Sequence, residues 1–232
     1  MGDRRISFLE HLAELRQRIL VIAVAVFVTG SVCYYFAFKI LRILLKPAGN
    51  AVKLVYLGPM EPFMVKFKIA IFGGIAFSIP IILYEIIAFV APALKEKEKK
   101  LIYPAIFFMV ALFAAGVVFG YYFIMPPGTQ WLLNQAEGFL NPNMTASLYV
   151  TYAGWFLLAF GISFETPVFL LLLVRLRVLS VETLQKHWRY AIITILLIAA
   201  FVTPDWNPVN MVAMALPMLF FYFVSILIAR FI

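Results

Sequence analysis

Ala159-Phe160-Gly161-Ile162-Ser163-Phe164-Glu165-Thr166-Pro167-Val168-Phe169-Leu170-Leu171-Leu172-Leu173-Val174 is a long apolar run with one carboxylate near its middle. Read as part of a single helix over residues 149–174, it sets Glu165 about 15 Å from the Arg175 end and about 24 Å from the Tyr149 end, at about 1.5 Å per residue. A hydrocarbon layer about 30 Å thick then holds the carboxylate deep inside. Insertion scales put a charged side chain at such a depth at about 2.5–3.5 kcal/mol. A glutamate there is expected to be protonated, to face a polar cavity, or to wait for a partner.

The composition around this run has the same character. The 232 residues are 65% hydrophobic and 13% charged, with a mean hydropathy of +1.00. Soluble domains carry roughly 25% charged residues, so the chain reads as a polytopic membrane protein. Continuous rather than alternating apolar runs exclude a transmembrane barrel. At this length the expectation is one membrane domain over residues 1–232. The net charge of +8 does not point to nucleic acid, because the basic residues sit in short clusters between apolar runs, where they set topology and anchor the chain to the bilayer surface. The single cysteine, Cys33, lies in the first apolar run and reads as a small buried residue. Arg4-Arg5 near the start is not read as part of a leader: the following apolar run is too long and no small-x-small site follows it.

The sequence predicts an all-α fold with six spans at about residues 19–38, 68–91, 104–124, 149–174, 189–202 and 209–228. Ser7 and Glu10 fit a capping box, and Phe8, Leu12, Leu15 and Ile19 share one face, so residues 8–18 are expected to form an amphipathic surface helix ahead of the first span. Residues 39–62, broken by Pro47, Gly49, Gly58, Pro59 and Pro62, are expected to fold as a structured cap. Pro80 is expected to kink the second span. Gly116 and Gly120 form a G-x-x-x-G match, a candidate for close helix packing. Pro126-Pro127-Gly128 is expected to end the third span. The fifth span has about fourteen residues, fewer than the ~20 usual for a crossing, which suggests local bilayer thinning. Six crossings put both termini on one side. That side carries thirteen of the nineteen basic residues and the other six, so the positive-inside rule places both termini in the cytoplasm.

Signals for catalysis are missing. No H-E-x-x-H, phosphate loop or metal-ligand cluster occurs, and the two histidines, His11 and His187, fall outside the spans. Ser163 has no intramembrane histidine or lysine to activate it. No catalytic residue, cofactor or metal is therefore expected. Two groups of charged residues remain. Glu165 has no obvious cationic mate on another span, which favours an external partner or a water-filled cavity over an internal salt bridge. Glu14 stands two residues before Arg16 and four before Arg18. Taken alone it is a surface pair worth a few tenths of a kcal/mol. Together with Glu98 it makes an acidic patch able to receive a basic peptide, since carboxylates accept paired bonds from arginine.

His11-Leu12-Ala13-Glu14-Leu15-Arg16-Gln17-Arg18 resembles the N-terminal motif of the TatC family, core subunits of the twin-arginine protein translocase. Tyr84, Phe89-Val90-Ala91-Pro92-Ala93-Leu94 and Glu98 resemble that family's first cytoplasmic loop. Gly161 to Pro167 resembles its fourth-span motif, and Thr203-Pro204-Asp205 its last external turn. The match runs in order along essentially the whole chain. The resemblance implies a concave bundle of six spans in the cell (inner) membrane. It also implies binding of the twin-arginine signal peptides of folded proteins at the cytoplasmic face. Assembly with the single-span subunits TatA and TatB into an oligomeric complex would follow, with transport driven by the proton-motive force. Carried over by position, Glu14, Arg16, Phe89, Leu94 and Glu98 would bind the signal peptide. Glu165 would be the polar intramembrane contact to partner helices, and Pro47 and Asp205 would matter on the external face. The first cytoplasmic loop departs from the family in its run of lysines, where Glu96 is an alternative carboxylate to Glu98. The rival reading is a proton-coupled small-solute transporter with Glu165 as proton carrier. It is disfavoured because no internal repeat is evident and the membrane interior holds essentially one carboxylate.

Overall fold

The computed structural model describes residues 8–51, 54–55, 57–90, 102–134, 144–176, 178–203 and 208–230. Helices account for nearly all of them. In chain order they are α1 (Phe8–Tyr35), α2 (Ala37–Leu45), α3 (Glu61–Val90), α4 (Ile102–Phe119), α5 (Met125–Asn134), α6 (Ala146–Ser163), α7 (Thr166–Arg175), α8 (Val181–Lys186), α9 (Trp188–Val202) and α10 (Pro208–Ala229). Five stretches are long and apolar enough to cross a membrane: Leu12–Tyr35, Glu61–Phe89, Pro104–Leu132, Ala146–Ser163 and Pro208–Ala229. α7 and α9 are shorter apolar helices. Phe27, Tyr35, Phe77, Phe107 and Phe201 are each at least 69% exposed, as expected of surface bathed in lipid rather than water.

Small residues bring the helices together. α1 packs along α3, α3 on α6, and α6 on α4, while α10 meets α7 and α9. Along the α1–α3 seam, a Cβ on Gly74 would lie 2.9 Å from the Val26 carbonyl oxygen and 3.0 Å from the Gly30 Cα. Beside this contact the Thr29 hydroxyl bonds the Gly74 carbonyl at 2.9 Å and the Ser78 hydroxyl at 2.7 Å, a polar tie between two apolar helices. Cys33 packs on Gly73 in the same seam and is buried, as expected. The Gly116–Gly120 pair does mediate close packing. A Cβ on Gly116 would sit 2.6 Å from the Phe160 carbonyl oxygen, and one on Gly120 would sit 2.9 Å from the Phe160 ring.

The cap over residues 39–62 is structured, as the turn residues suggest. α2 ends in a 3₁₀ segment (Lys46–Ala51) in which Gly49 takes φ +63°, a conformation that favours glycine. The Lys46 amide donates to the Ile43 oxygen at the end of α2, and side chains from other elements also reach its last carbonyls. Tyr121 donates to the Ile43 oxygen at 2.6 Å, and Tyr149 donates to the Leu44 oxygen. A parallel two-residue pairing, β1 (Leu54–Val55) with β2 (Met144–Thr145), ties the cap to the start of α6. Thr145 caps that helix by accepting from the Leu148 amide.

Three expectations are corrected. Residues 8–18 are not a separate surface helix: they form the first turns of α1, which runs unbroken to Tyr35. The Ser7 cap lies outside the described residues. Pro126-Pro127-Gly128 does not end the third span, because a π-helical turn (Gly120–Ile124) intervenes and α5 continues to Asn134. A π turn shifts the hydrogen-bond register, and prolines that open the next helix need no donor there. The span carrying Glu165 is two helices rather than one, broken at Phe164-Glu165 between α6 and α7. Pro167 sits in the first turn of α7, where its missing N–H costs nothing. Pro80 lies inside α3, which continues through it. The expected short fifth crossing is α9, fifteen residues long.

Candidate functional site

The family-like motif at residues 11–18 occupies the first turns of α1, and the apolar stretch ending at Phe89 forms the last turns of α3. Both helices are long and antiparallel neighbours, so the start of one lies beside the end of the other. Arg18 fills the junction. Its Nε donates to Glu14 Oε1 at 3.1 Å, and Nη2 donates to the same oxygen at 2.5 Å. Its Nη1 donates to Glu85 Oε2 at 2.9 Å, and Nη2 also reaches the Ala88 carbonyl oxygen at 3.1 Å. The side chains of Arg18, Glu14 and Glu85 are 21%, 26% and 11% exposed. The planar fork of the guanidinium thus spans two carboxylates and a carbonyl from two helices, a geometry that an ammonium cannot match.

The structure therefore brings Glu14 together with Arg18 and Glu85. Arg16 is exposed and lies two residues from both Glu14 and Arg18, about 200° round the helix. Phe89 is half-buried and follows directly on Ala88, whose carbonyl receives Arg18. Tyr84, 42% exposed, flanks Glu85. Leu94 and Glu98 lie outside the described residues, as does Asp205. Pro47 lies in the 3₁₀ segment of the cap, next to Ala48, which is buried in the main core with Met125 and Tyr149. In the sequence Glu85 falls near the end of the second span and Arg18 four residues after Glu14. The separation of 67 positions leaves no local signal. A carboxylate and an arginine at facing ends of two consecutive spans were the available clue.

Glu165 occupies the break between α6 and α7. Its backbone is well satisfied: the amide donates to the Ile162 oxygen at 3.0 Å, and the carbonyl accepts from Val168 at 3.0 Å and Phe169 at 3.1 Å. Thr166 donates to the Ser163 carbonyl at 2.6 Å, closing the turn. The carboxyl group is different. The residue is 2% exposed, and neither side-chain oxygen has a hydrogen-bond partner among the described residues. Phe164 beside it contacts the rings of Phe119 and Phe221, so aromatic side chains of α4 and α10 wall the turn. A buried carboxyl group without a partner is costly, which makes this turn a candidate functional position. Among the described residues, no group of three or more histidine, cysteine or acidic side chains is placed to hold a metal.

Comparison with known proteins supplies what geometry alone does not. Residues 10–217 match the family model described as Sec-independent protein translocase protein (TatC). The chain is 38% identical to the Sec-independent protein translocase protein TatC of Carboxydothermus hydrogenoformans, over all of this chain and 96% of that one. It is 35% identical to the TatC of Koribacter versatilis over 96% of this chain and 84% of the relative. A solved structure, the crystal structure of the twin arginine translocase receptor TatC, superposes with a TM-score of 0.81 at 30% identity. That match covers 96% of this chain and 99% of the other.

Proposed function

Because the chain belongs to the TatC family of Sec-independent protein translocases, a family of multi-pass membrane proteins, we propose that it is the subunit that receives twin-arginine signal peptides. Reception takes place at the pole formed by the start of α1 and the end of α3. The observation that carries this reading is the cluster of acceptors around Glu14. Two carboxylates and a carbonyl there already hold one guanidinium through all three of its nitrogens. A site with that geometry suits arginine better than lysine. Its partial exposure leaves it open to a peptide arriving from the aqueous side.

In this reading the pole faces the cytoplasm of a cell whose inner membrane holds the protein, in keeping with the bias of basic residues toward that side. Glu14 and Glu98 accept the peptide's arginines, and Arg16, Phe89 and Leu94 line its path. Glu165 is the contact for the single-span partner subunits TatA and TatB. A polar group from a partner helix would relieve its unsatisfied oxygens. Pro47 and Asp205 act on the external face, where Pro47 shapes the cap. Assembly of the oligomeric complex then follows peptide binding, and the proton-motive force drives passage of the folded cargo.

The test is binding of a synthetic twin-arginine signal peptide to the purified full chain in lipid nanodiscs, with a twin-lysine peptide as control. The wild type is expected to prefer the twin-arginine peptide. Glu14→Ala and Glu98→Ala are each expected to weaken it by about tenfold or more, the worth of a charge-assisted hydrogen bond. Equal binding of the two peptides, or indifference to both substitutions, contradicts the reading.

A further inference from the structure

Glu85 belongs to none of the signal-peptide residues named above, yet it shares a guanidinium with Glu14. Resting on the receptor reading, we propose that Glu85 is a further carboxylate of the arginine-receiving site, and that Arg18 is its resident occupant, displaced when a signal-peptide arginine binds. Three observations carry this. First, the acceptors come from two helices, and the guanidinium spans them. The Nε–Nη2 edge faces Glu14, Nη1 faces Glu85, and Nη2 also reaches the Ala88 carbonyl. A peptide arginine presents the same planar fork, so the pocket that fits Arg18 fits its replacement.

Second, the site needs a cation. Glu14 and Glu85 lie on opposite sides of one guanidinium and are both largely shielded, at 26% and 11% exposed. Emptying the site would take from both carboxylates the cation they share in a partly dry environment, which is costly. Exchange of one guanidinium for another avoids that cost, whereas simple addition of a third charge does not. Third, Arg18 can leave. It is one-fifth exposed, its long stem allows the head group to turn outward, and the turns of α1 around it carry exposed side chains. Exchange also sharpens selection, because an incoming lysine has to displace an arginine bonded through three nitrogens while offering a single donor centre.

The test uses the full chain in nanodiscs and the same twin-arginine peptide. Arg18→Gln removes the competitor and is expected to bind the peptide about tenfold tighter. The gain is expected to vanish in the Arg18→Gln, Glu85→Gln double variant. Arg18→Lys, which keeps the charge but not the fork, is expected to fall between wild type and Arg18→Gln. If Arg18 merely positions Glu14, Arg18→Gln binds more weakly than wild type and Arg18→Lys restores binding, which overturns the proposal. A gain that persists without Glu85 overturns it too. A wild type that does not discriminate twin-arginine from twin-lysine peptides contradicts the receptor reading itself. The second measurement requires no variant that might misfold. In wild-type protein with ¹⁵N-labelled arginine, the Arg18 Nε–H resonance is expected to move toward the position and fast water exchange of a free arginine on peptide addition. A resonance that stays unchanged while the peptide binds overturns the proposal.

Discussion

At the residue scale, a few side chains set the energetics. Gly116 is one. A side chain there would drive a Cβ to 2.6 Å from the Phe160 carbonyl oxygen and 2.9 Å from the Phe164 Cγ, and the backbone oxygen leaves little room to yield. Gly116→Val is therefore expected to lower stability by about 1–3 kcal/mol, the usual cost of overpacking. A drop in thermal unfolding temperature in detergent would register it, and an unchanged temperature would show that α4 and α6 are not held this closely. Glu165 is another. Its burial at 2% means that water reaches position 165 only when helices part. In a Cys33→Ser background, Glu165→Cys is expected to resist a membrane-impermeant maleimide in the resting protein. Rapid labelling would place the residue in an open, wet cavity. The carboxylate was legible in the sequence as the anomaly of its run. So was the want of a cationic mate on another span; the aromatic wall around its turn was not, because it depends on which side chains α4 and α10 bring there.

At the element scale, hydrophobic length and proline placement disclosed most crossings, and their limits explain the errors. Apolar continuity could not separate α6 from α7, because the break at Phe164-Glu165 is only two residues long and its flanks are equally apolar. Pro126 and Pro127 read as a stop by themselves, and only the preceding π turn lets the helix pass them. Residues 8–18 looked separable because they are amphipathic, yet helix propagation is cheaper than a break, so they extend α1. α9 has a clear physical consequence. Fifteen residues span about 22 Å, short of a hydrocarbon core of about 30 Å. In vesicles of increasing acyl-chain length, stability is expected to fall as the bilayer thickens, by fractions of a kcal/mol per Å. Chemical unfolding across such a series measures this, and stability that rises with thickness would show that α9 does not force thinning.

At the scale of the whole molecule, the all-α membrane class follows from composition, and the order of spans from hydropathy. The candidate site was only half legible. Glu14 stood out through its motif, while Glu85 became part of the site only when α1 and α3 were laid side by side. Non-local pairing of charges is what a sequence hides best. Six crossings put both termini on one side, and the bias of basic residues makes that side the cytoplasm. Epitope tags at either end are thus expected to show the same protease accessibility in inverted vesicles, and opposite accessibility would remove one crossing from the fold. The central claim is that the pole built from the start of α1 and the end of α3 receives an arginine pair. It is tested most directly by photo-crosslinking a twin-arginine peptide, carrying a diazirine beside the arginine pair, to the wild-type chain in membranes. The account predicts crosslinks on α1 around Glu14 and on α3 around Glu85 and Phe89, lost in Glu14→Ala and absent with a twin-lysine peptide. Crosslinks confined to the cap around Pro47, or unaffected by Glu14→Ala, would contradict it.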